Sequence, residues 1–195
     1  MNTLKVGITG GIGAGKSIVS SIFKCLGYPV FNSDAVAKQL MQSDPELIQG
    51  ITEIFGKKAY TKGNLNRTFI SEQVFTDSSK INQLNQLVHP KVRLAFDKFA
   101  QESNSPFVFN EAAILYETGA YKNFDEIILV TAEKNTRIKR VKQRDNSSEE
   151  QILNRMAKQM SDNEKRQFSP FEIINHNQLL TPQVLDFIEN HSTSS

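Results

Sequence analysis

The sequence predicts an α/β protein: a three-layer α/β/α core on a parallel sheet, with a helical insertion early in the chain and a basic helical segment late in it. Three observations carry that prediction. Short apolar runs at residues 4–9, 28–32, 106–110 and 127–131 read as strands, and the last two are continuous enough to suit parallel strands covered on both faces. Between the first two runs, apolar residues return at helical spacing, giving the strand–helix–strand order of a βαβ unit. Residues 33–103 then change character and carry mainly helical stripes.

Each element follows from its residues. Leu4 to Thr9 is a strand with Val6 and Ile8 apolar, and a glycine-rich turn follows it. Ile18, Val19, Ile22, Phe23 and Leu26 mark the first helix, and Gly27 stands where a C-terminal cap belongs. Tyr28 to Asn32 is the second strand. Val36, Ala37, Leu40 and Met41 form one helical stripe, and Leu47, Ile48, Ile51, Ile54 and Phe55 another. Lys57 to Asn66 has turn chemistry around Lys62-Gly63-Asn64. His89-Pro90 is expected to open a helix, with Val92, Ala95, Phe96 and Phe99 on its buried face. After the strands at Pro106–Asn110 and Ile127–Thr131, Lys134 to Phe168 is helical and basic. Phe171 to Asn175 reads as a final strand, Val184 to Ile188 as a closing helix, and Ser192 to Ser195 as a tail expected to fray.

Composition bounds the function. The 195 residues are 38% hydrophobic and 23% charged, an ordinary globular balance on the scale of one domain with insertions. A net charge of +2 gives no reason to expect nucleic-acid binding. The lone Cys25 excludes an internal disulfide and a four-cysteine zinc site, and fits a reducing compartment. No apolar run approaches a membrane span. Glycines and Lys16 interrupt the apolar stretch after Leu4, so no signal peptide is expected. A cytoplasmic enzyme is the expectation.

The chemistry centres on Gly10-Gly11-Ile12-Gly13-Ala14-Gly15-Lys16-Ser17, which matches the phosphate-binding pattern G-x-x-x-x-G-K-[ST] between a strand and a helix. Glycines let backbone N–H groups converge on phosphate oxygens, and the helix N-terminus adds partial positive charge. Lys16 would reach the β- and γ-phosphates of ATP, and the Ser17 hydroxyl would ligate Mg²⁺. The rival dinucleotide fingerprint G-x-G-x-x-G fails at its last glycine, where Lys16 or Ile18 stands. Ile18 also occupies a position where a second hydroxyl often meets the α-phosphate. The loop and its setting predict a P-loop NTPase core.

Asp34 lies just past the second strand, at the edge where open α/β sheets bind ligands. It is either a general base for an attacking hydroxyl or a helix cap, and spacing alone leaves both open. The basic segment is the third signal. Residues 137–166 hold five of the seven arginines, and nine positive charges against five negative leave a local +4. Arg140 and Arg144 share a helix face. Positive side chains closing over a transferring phosphoryl group stabilise it and exclude water, so a lid is favoured over a solvated charged helix. Glu111, at the end of a buried strand, is either an acidic neighbour of Mg²⁺ or a solvent-facing carboxylate. His89 reads as a helix-start residue and Cys25 as core. These residues define a P-loop kinase of a small hydroxyl-bearing substrate, and identify the acceptor no further.

The motifs resemble those of the dephospho-coenzyme A kinase family nearly end to end, from Val6 to about Asn177. Gly7 to Ser17 is similar to that family's Gly-Leu-Thr-Gly-Gly-Ile-Gly-Ser-Gly-Lys-Ser. Asn32-Ser33-Asp34 stands where the family has Asp-Ala-Asp, whose second Asp is the expected general base. Gly63 to Arg67 and Leu87-Val88-His89-Pro90 resemble landmarks of the helical substrate-binding domain. Ile114 to Gly119 is similar to Leu-Leu-Phe-Glu-Thr-Gly. Arg140, Gln143-Arg144-Asp145, Arg155 and Gln159 sit in the lid pattern, and Ile173-Ile174-Asn175 resembles a segment near the adenine pocket. Asn32, Ala113, Tyr116 and Ile18 depart from the family's residues.

The resemblance implies ATP- and Mg²⁺-dependent phosphorylation of the ribose 3′-hydroxyl of dephospho-CoA. It implies catalytic roles for Asp34, Lys16, Arg140 and Arg144, and a nucleotide site from Gly11, Ile12, Gly13, Ala14, Gly15, Lys16, Ser17, Ile18 and Asn175. Substrate contacts fall on Asp34, Arg67, His89 and Glu117, and the metal on Ser17. The expected organisation is a nucleotide-binding core at 1–32, 104–133 and 169–195, an acceptor-binding domain at 33–103 and a lid at 134–168. No nucleic-acid or membrane partner is expected, and the protein is a monomer or small homo-oligomer. Two alternatives remain at this point: a kinase of another small acceptor on the same core, and a non-catalytic ATP-binding switch.

Overall fold

The computed structural model describes residues 3–168 and 171–192. The sequence's expected tail from 193 onward lies outside the described residues. The chain divides into two compact units, Met1–Asn32 with Glu102–Ser195, and Ser33–Gln101.

The first unit is a five-stranded parallel sheet of β1 (Leu4–Thr9), β2 (Val30–Asn32), β5 (Phe107–Glu111), β6 (Glu126–Thr131) and β7 (Phe171–Ile174), in the spatial order β2-β5-β1-β6-β7. Its helices are α1 (Lys16–Cys25), α6 (Lys134–Asp145), α7 (Glu149–Ala157), α8 (Asp162–Arg166) and α9 (Leu180–Ser192). Strands β5 and β6 are buried along nearly their whole length, as their continuous apolar runs predict. One layer is aromatic: Phe23, Phe107, Phe109 and Phe187 are fully buried, and the Phe23 and Phe109 rings stack with centroids 3.8 Å apart. Burying each such ring stabilises the fold by about 1.5–3 kcal/mol.

Gly27 ends α1 as its position in the sequence predicts. At φ 89° it lets its own N–H reach the Lys24 carbonyl and the Tyr28 N–H reach that of Phe23, a Schellman closure. The second strand starts later than expected, at Val30. Pro29 has no N–H to give a ladder, although its carbonyl still accepts from Phe109.

The second unit holds α2 (Ser33–Ser43), α3 (Pro45–Phe55), a hairpin of β3 (Tyr60–Thr61) and β4 (Asn64–Leu65), α4 (Arg67–Thr76) and α5 (Ser78–Gln101). Asp44 caps α3 by accepting from the Glu46 and Leu47 N–H groups. The turn chemistry around Lys62-Gly63 resolves into this hairpin, both residues taking positive φ. The Gln42 amide brackets it, donating to the Gly63 carbonyl and accepting from the Leu65 N–H. His89-Pro90 does not open a helix, contrary to the sequence expectation. Pro90 lies inside the 24-residue α5. It gives up one helical hydrogen bond there, while Val88, Val92 and Phe96 on the same helix are buried and hold it in place.

Candidate active site

The phosphate loop leaves the C-terminal end of β1, the middle strand of its sheet, and enters α1. Gly10, Gly13 and Gly15 take φ values of 153°, 79° and 101°, which side chains with a Cβ rarely adopt. A turn closes from the Ala14 N–H to the Gly11 carbonyl at 3.1 Å. Gly15 is the N-cap of α1, with no side chain bonded to the helix's first N–H groups. Those groups and the helix dipole are therefore directed at the loop, the arrangement that binds anions. Lys16 Nζ folds back to donate to the Gly10 carbonyl at 2.9 Å.

Ser17 Oγ donates to Glu111 Oε1 at 2.7 Å, and Asn32 Nδ2 donates to Glu111 Oε2 at 3.3 Å. Three strand ends thus converge: β1 through the loop, β2 through Asn32 and β5 through Glu111. This settles Glu111 as a carboxylate facing Ser17 rather than one turned to solvent. Hydroxyl and carboxylate oxygens are hard donors of the kind Mg²⁺ takes alongside phosphate oxygens and water. Among the described residues no three His, Cys, Asp or Glu side chains form a metal cage. A nucleotide-borne ion does not need one.

Helix α6 brings Arg140 onto the loop. Its guanidinium donates to the Asn175 carbonyl at 3.0 Å and, more loosely, to the Gly13 and Ala14 carbonyls at 3.5 and 3.4 Å. Arg137, absent from the expected site residues, also reaches the loop: Nε donates to the Ile12 carbonyl at 2.9 Å and Nη1 to Asp162 at 3.0 Å. Gln159 Oε1 accepts from the Ile12 N–H at 2.8 Å. The one advance signal for Arg137 was its place one turn before Arg140 on the same helix face.

Arg144 lies elsewhere. It pairs with Asp145 at 2.6 Å, its side chain is 62% exposed, and Arg155 joins the same carboxylate at 2.8 Å. The two guanidinium groups hold the Asp145 carboxyl far below the usual carboxylate range. Arg166 pairs with Glu172 at 2.8 Å. Much of the basic run is thus neutralised locally, whereas no carboxylate among the described residues pairs with Arg140.

Two expected contacts take a different form. Asn175 is buried. Its Nδ2 donates to the Ala14 carbonyl at 2.8 Å, its N–H donates to Thr131, and its carbonyl accepts from Arg140. Its polar groups hold the loop from behind. Glu117 also bonds within the protein. Its Oε1 accepts from the Met160 N–H at 3.0 Å and lies 2.9 Å from Nζ of the fully buried Lys165, an ion contact without hydrogen-bond alignment. A buried ammonium requires such a partner, and this need overrides any surface role for the carboxylate.

In the second unit, Asp34 is exposed in the first turn of α2, whose dipole favours a carboxylate there. Arg67 is exposed at the start of α4. His89 is exposed on α5, yet surrounding protein displaces enough water to lower its pKa below the ordinary histidine value. Ile18 is 51% exposed in the first turn of α1 and offers no hydroxyl. An open groove lined by Lys24, Tyr28, Pro29, Asn104 and Pro106 lies at the N-terminal ends of β2 and β5, away from this chemistry.

A parallel sheet with a glycine loop, a lysine and a serine–carboxylate pair at its strand ends defines a P-loop phosphotransferase core. The dephospho-CoA kinase family model matches residues 4–181. A dephospho-CoA kinase of Bacteroides fragilis is 37% identical over 187 residues, covering 95% of this chain and 91% of that protein. One of Chlorobium chlorochromatii is 41% identical over 164 residues, 80% and 77% of the two chains. A solved structure from Thermus thermophilus superposes with TM-score 0.88 at 30% identity, covering 97% of this chain and 98% of that one. The dephospho-CoA kinase of Campylobacter jejuni gives 0.70 at 26%, with 97% of each chain covered. The chain belongs to the dephospho-CoA kinase family and is an ATP-dependent kinase.

Proposed function

We propose that this chain transfers the γ-phosphoryl group of ATP to the ribose 3′-hydroxyl of dephospho-CoA, giving CoA and ADP, with residues 33–103 receiving the acceptor and 134–168 acting as the lid. Membership of the family supplies the acceptor. The observation that carries the chemistry is the bonded pair Ser17–Glu111 beside Lys16 on a loop that also holds Arg140.

The loop's N–H groups from Gly13 to Ser17 bind the triphosphate, and Lys16 exchanges its hold on the Gly10 carbonyl for the β- and γ-phosphates. Ser17 and Glu111 would hold Mg²⁺, which when bound neutralises charge on the phosphate oxygens. Asp34, matching the second carboxylate of the family motif, accepts the proton of the 3′-hydroxyl as that oxygen bonds to phosphorus and ADP leaves. Asn32, in place of the motif's first carboxylate, donates its amide to Glu111, and the proton is assigned to Asp34. Arg140 stabilises the charge developing on the transferring group. Arg144 contributes only when it gives up Asp145. Arg67 and His89 bind the acceptor. The working unit is a monomer or small homo-oligomer in the cytoplasm.

Incubating the protein with ATP, Mg²⁺ and a panel of hydroxyl acceptors tests this directly. A phosphate mass gain on dephospho-CoA alone is expected. Gain only on another acceptor would assign a different kinase, and binding of ATP with no gain anywhere would make the protein a nucleotide switch.

A further inference from the structure

The tip of the phosphate loop is held from outside the loop. Ile12 stands inside the turn closed between Gly11 and Ala14. Both of its backbone polar groups are bonded by side chains from the basic segment: the N–H by Gln159 at 2.8 Å, the carbonyl by Arg137 at 2.9 Å. Arg137 is itself fixed, its side chain only 12% exposed and paired with Asp162 at 3.0 Å. Its guanidinium also lies against Gly11, where an added Cβ would sit 2.0 Å from Nη2. Gly11 has no positive φ. The glycine there makes room for this side chain rather than for an unusual backbone angle.

We propose that Arg137 and Gln159 are positioning residues for phosphoryl transfer: together they fix the Ile12 peptide, so that the N–H groups after it stay converged on one phosphate position. The proposal deepens the kinase reading and rests on it. N–H dipoles aimed at one point repel each other before an anion arrives, and a loop held only by its own turn would relax. Two bonds made in advance remove that reorganisation from the reaction. The residue types fit the task. A glutamine oxygen accepts from Ile12 without placing a negative charge beside a triphosphate. Asp162 offsets Arg137, so the charge it brings to the loop tip is balanced within the protein.

The test compares wild-type protein with Gln159→Leu, Gln159→Glu and Arg137→Lys. It reads melting temperature, ATP binding by calorimetry, kcat, both KM values and hydrogen exchange at the Ile12 amide. For Gln159→Leu the expected result is about tenfold faster Ile12 exchange and about tenfold higher KM for ATP, the scale of one lost hydrogen bond. Its melting temperature and its KM for dephospho-CoA should be unchanged. Gln159→Glu should keep Ile12 protected yet weaken ATP binding by charge. Arg137→Lys, whose single nitrogen cannot serve both Ile12 and Asp162, should repeat the Leu pattern. Equal Ile12 exchange in wild type and Gln159→Leu, a rise in both KM values together, or a fall in melting temperature alone would overturn the proposal. Should wild type fail on dephospho-CoA, the acceptor assignment falls, while ATP binding and Ile12 exchange in the same variants still decide the clamp.

Discussion

Single side chains divide here by whether their partners are protein or left for a ligand. Lys16 donates to the carbonyls of Gly10 and, more distantly, Gly11, neutral acceptors that compete weakly with a phosphate. A phosphate can displace these. Asp34 is exposed in a helix's first turn. Lys16→Ala is therefore expected to abolish turnover and weaken ATP binding together. Asp34→Asn is expected to cut kcat by roughly 10²–10⁴ with KM for ATP and the melting temperature retained. Steady-state kinetics with a parallel thermal melt separates the two. An Asp34→Asn variant that loses only stability would make the residue structural. Glu117 and Asn175 show the other side of the division. In sequence both sit in stretches that resemble functional ones, and in the fold Glu117 Oε1 meets Lys165 and the Met160 N–H while Asn175 bonds Ala14 and Arg140. Nothing in a linear pattern says which carboxylate must neutralise a buried lysine. For the same reason, the count of arginines could not say that Arg140 and Arg137 turn inward while Arg144 pairs with its own neighbour.

Elements were more legible than contacts, because periodicity and punctuation act locally. The glycine spacing fixed the loop and the start of α1, and Gly27 fixed its end. The continuous apolar runs of β5 and β6 announced strands buried on both faces. The misread element is α5. A proline commonly begins a helix because its missing N–H is an orphan there. In this chain the apolar stripe of Val88, Val92 and Phe96 carries the helix straight through Pro90. An interior proline costs up to about 3 kcal/mol in helix stability. Its place beside His89, a proposed acceptor contact, predicts a trade of stability against acceptor binding. Pro90→Ala is expected to raise the melting temperature and to raise KM for dephospho-CoA while leaving KM for ATP alone. A stabilised variant with unchanged kinetics would show that the proline has no part in binding.

For the molecule as a whole, the small net charge conceals a set of placed pairs. One of them reports on acid stability. Glu172 on β7 accepts from Arg166 at 2.9 and 2.8 Å and from Thr131 at 2.6 Å. The Arg166 bonds, with help from Thr131, hold its carboxyl below the ordinary glutamate value of 4.5. A depressed carboxyl stabilises the fold at pH values above 4.5, and that contribution is lost as pH falls through the folded-state value. Denaturant midpoints should therefore drop below about pH 4.5 in wild type, and Glu172→Gln should be less stable at pH 7 but show a shallower acid decline. Parallel acid profiles would remove Glu172 from the account.

The placement of Ser33–Gln101 between β2 and β5 has a kinetic consequence. These strands are neighbours in a parallel sheet, so the stretch joining them is a crossover enlarged to 74 residues, 33 to 106. Closing so long a loop as open chain is entropically costly, and the cost grows with the logarithm of its length. A helical segment that collapses on its own early contacts shortens the effective loop before the strands meet. The edge strand β2, with only three residues in the ladder, would then be the last to join. Refolding should show helix formation preceding the fixing of Asn32 beside Glu111, so that the amide bond to that carboxylate is completed only when the sheet is.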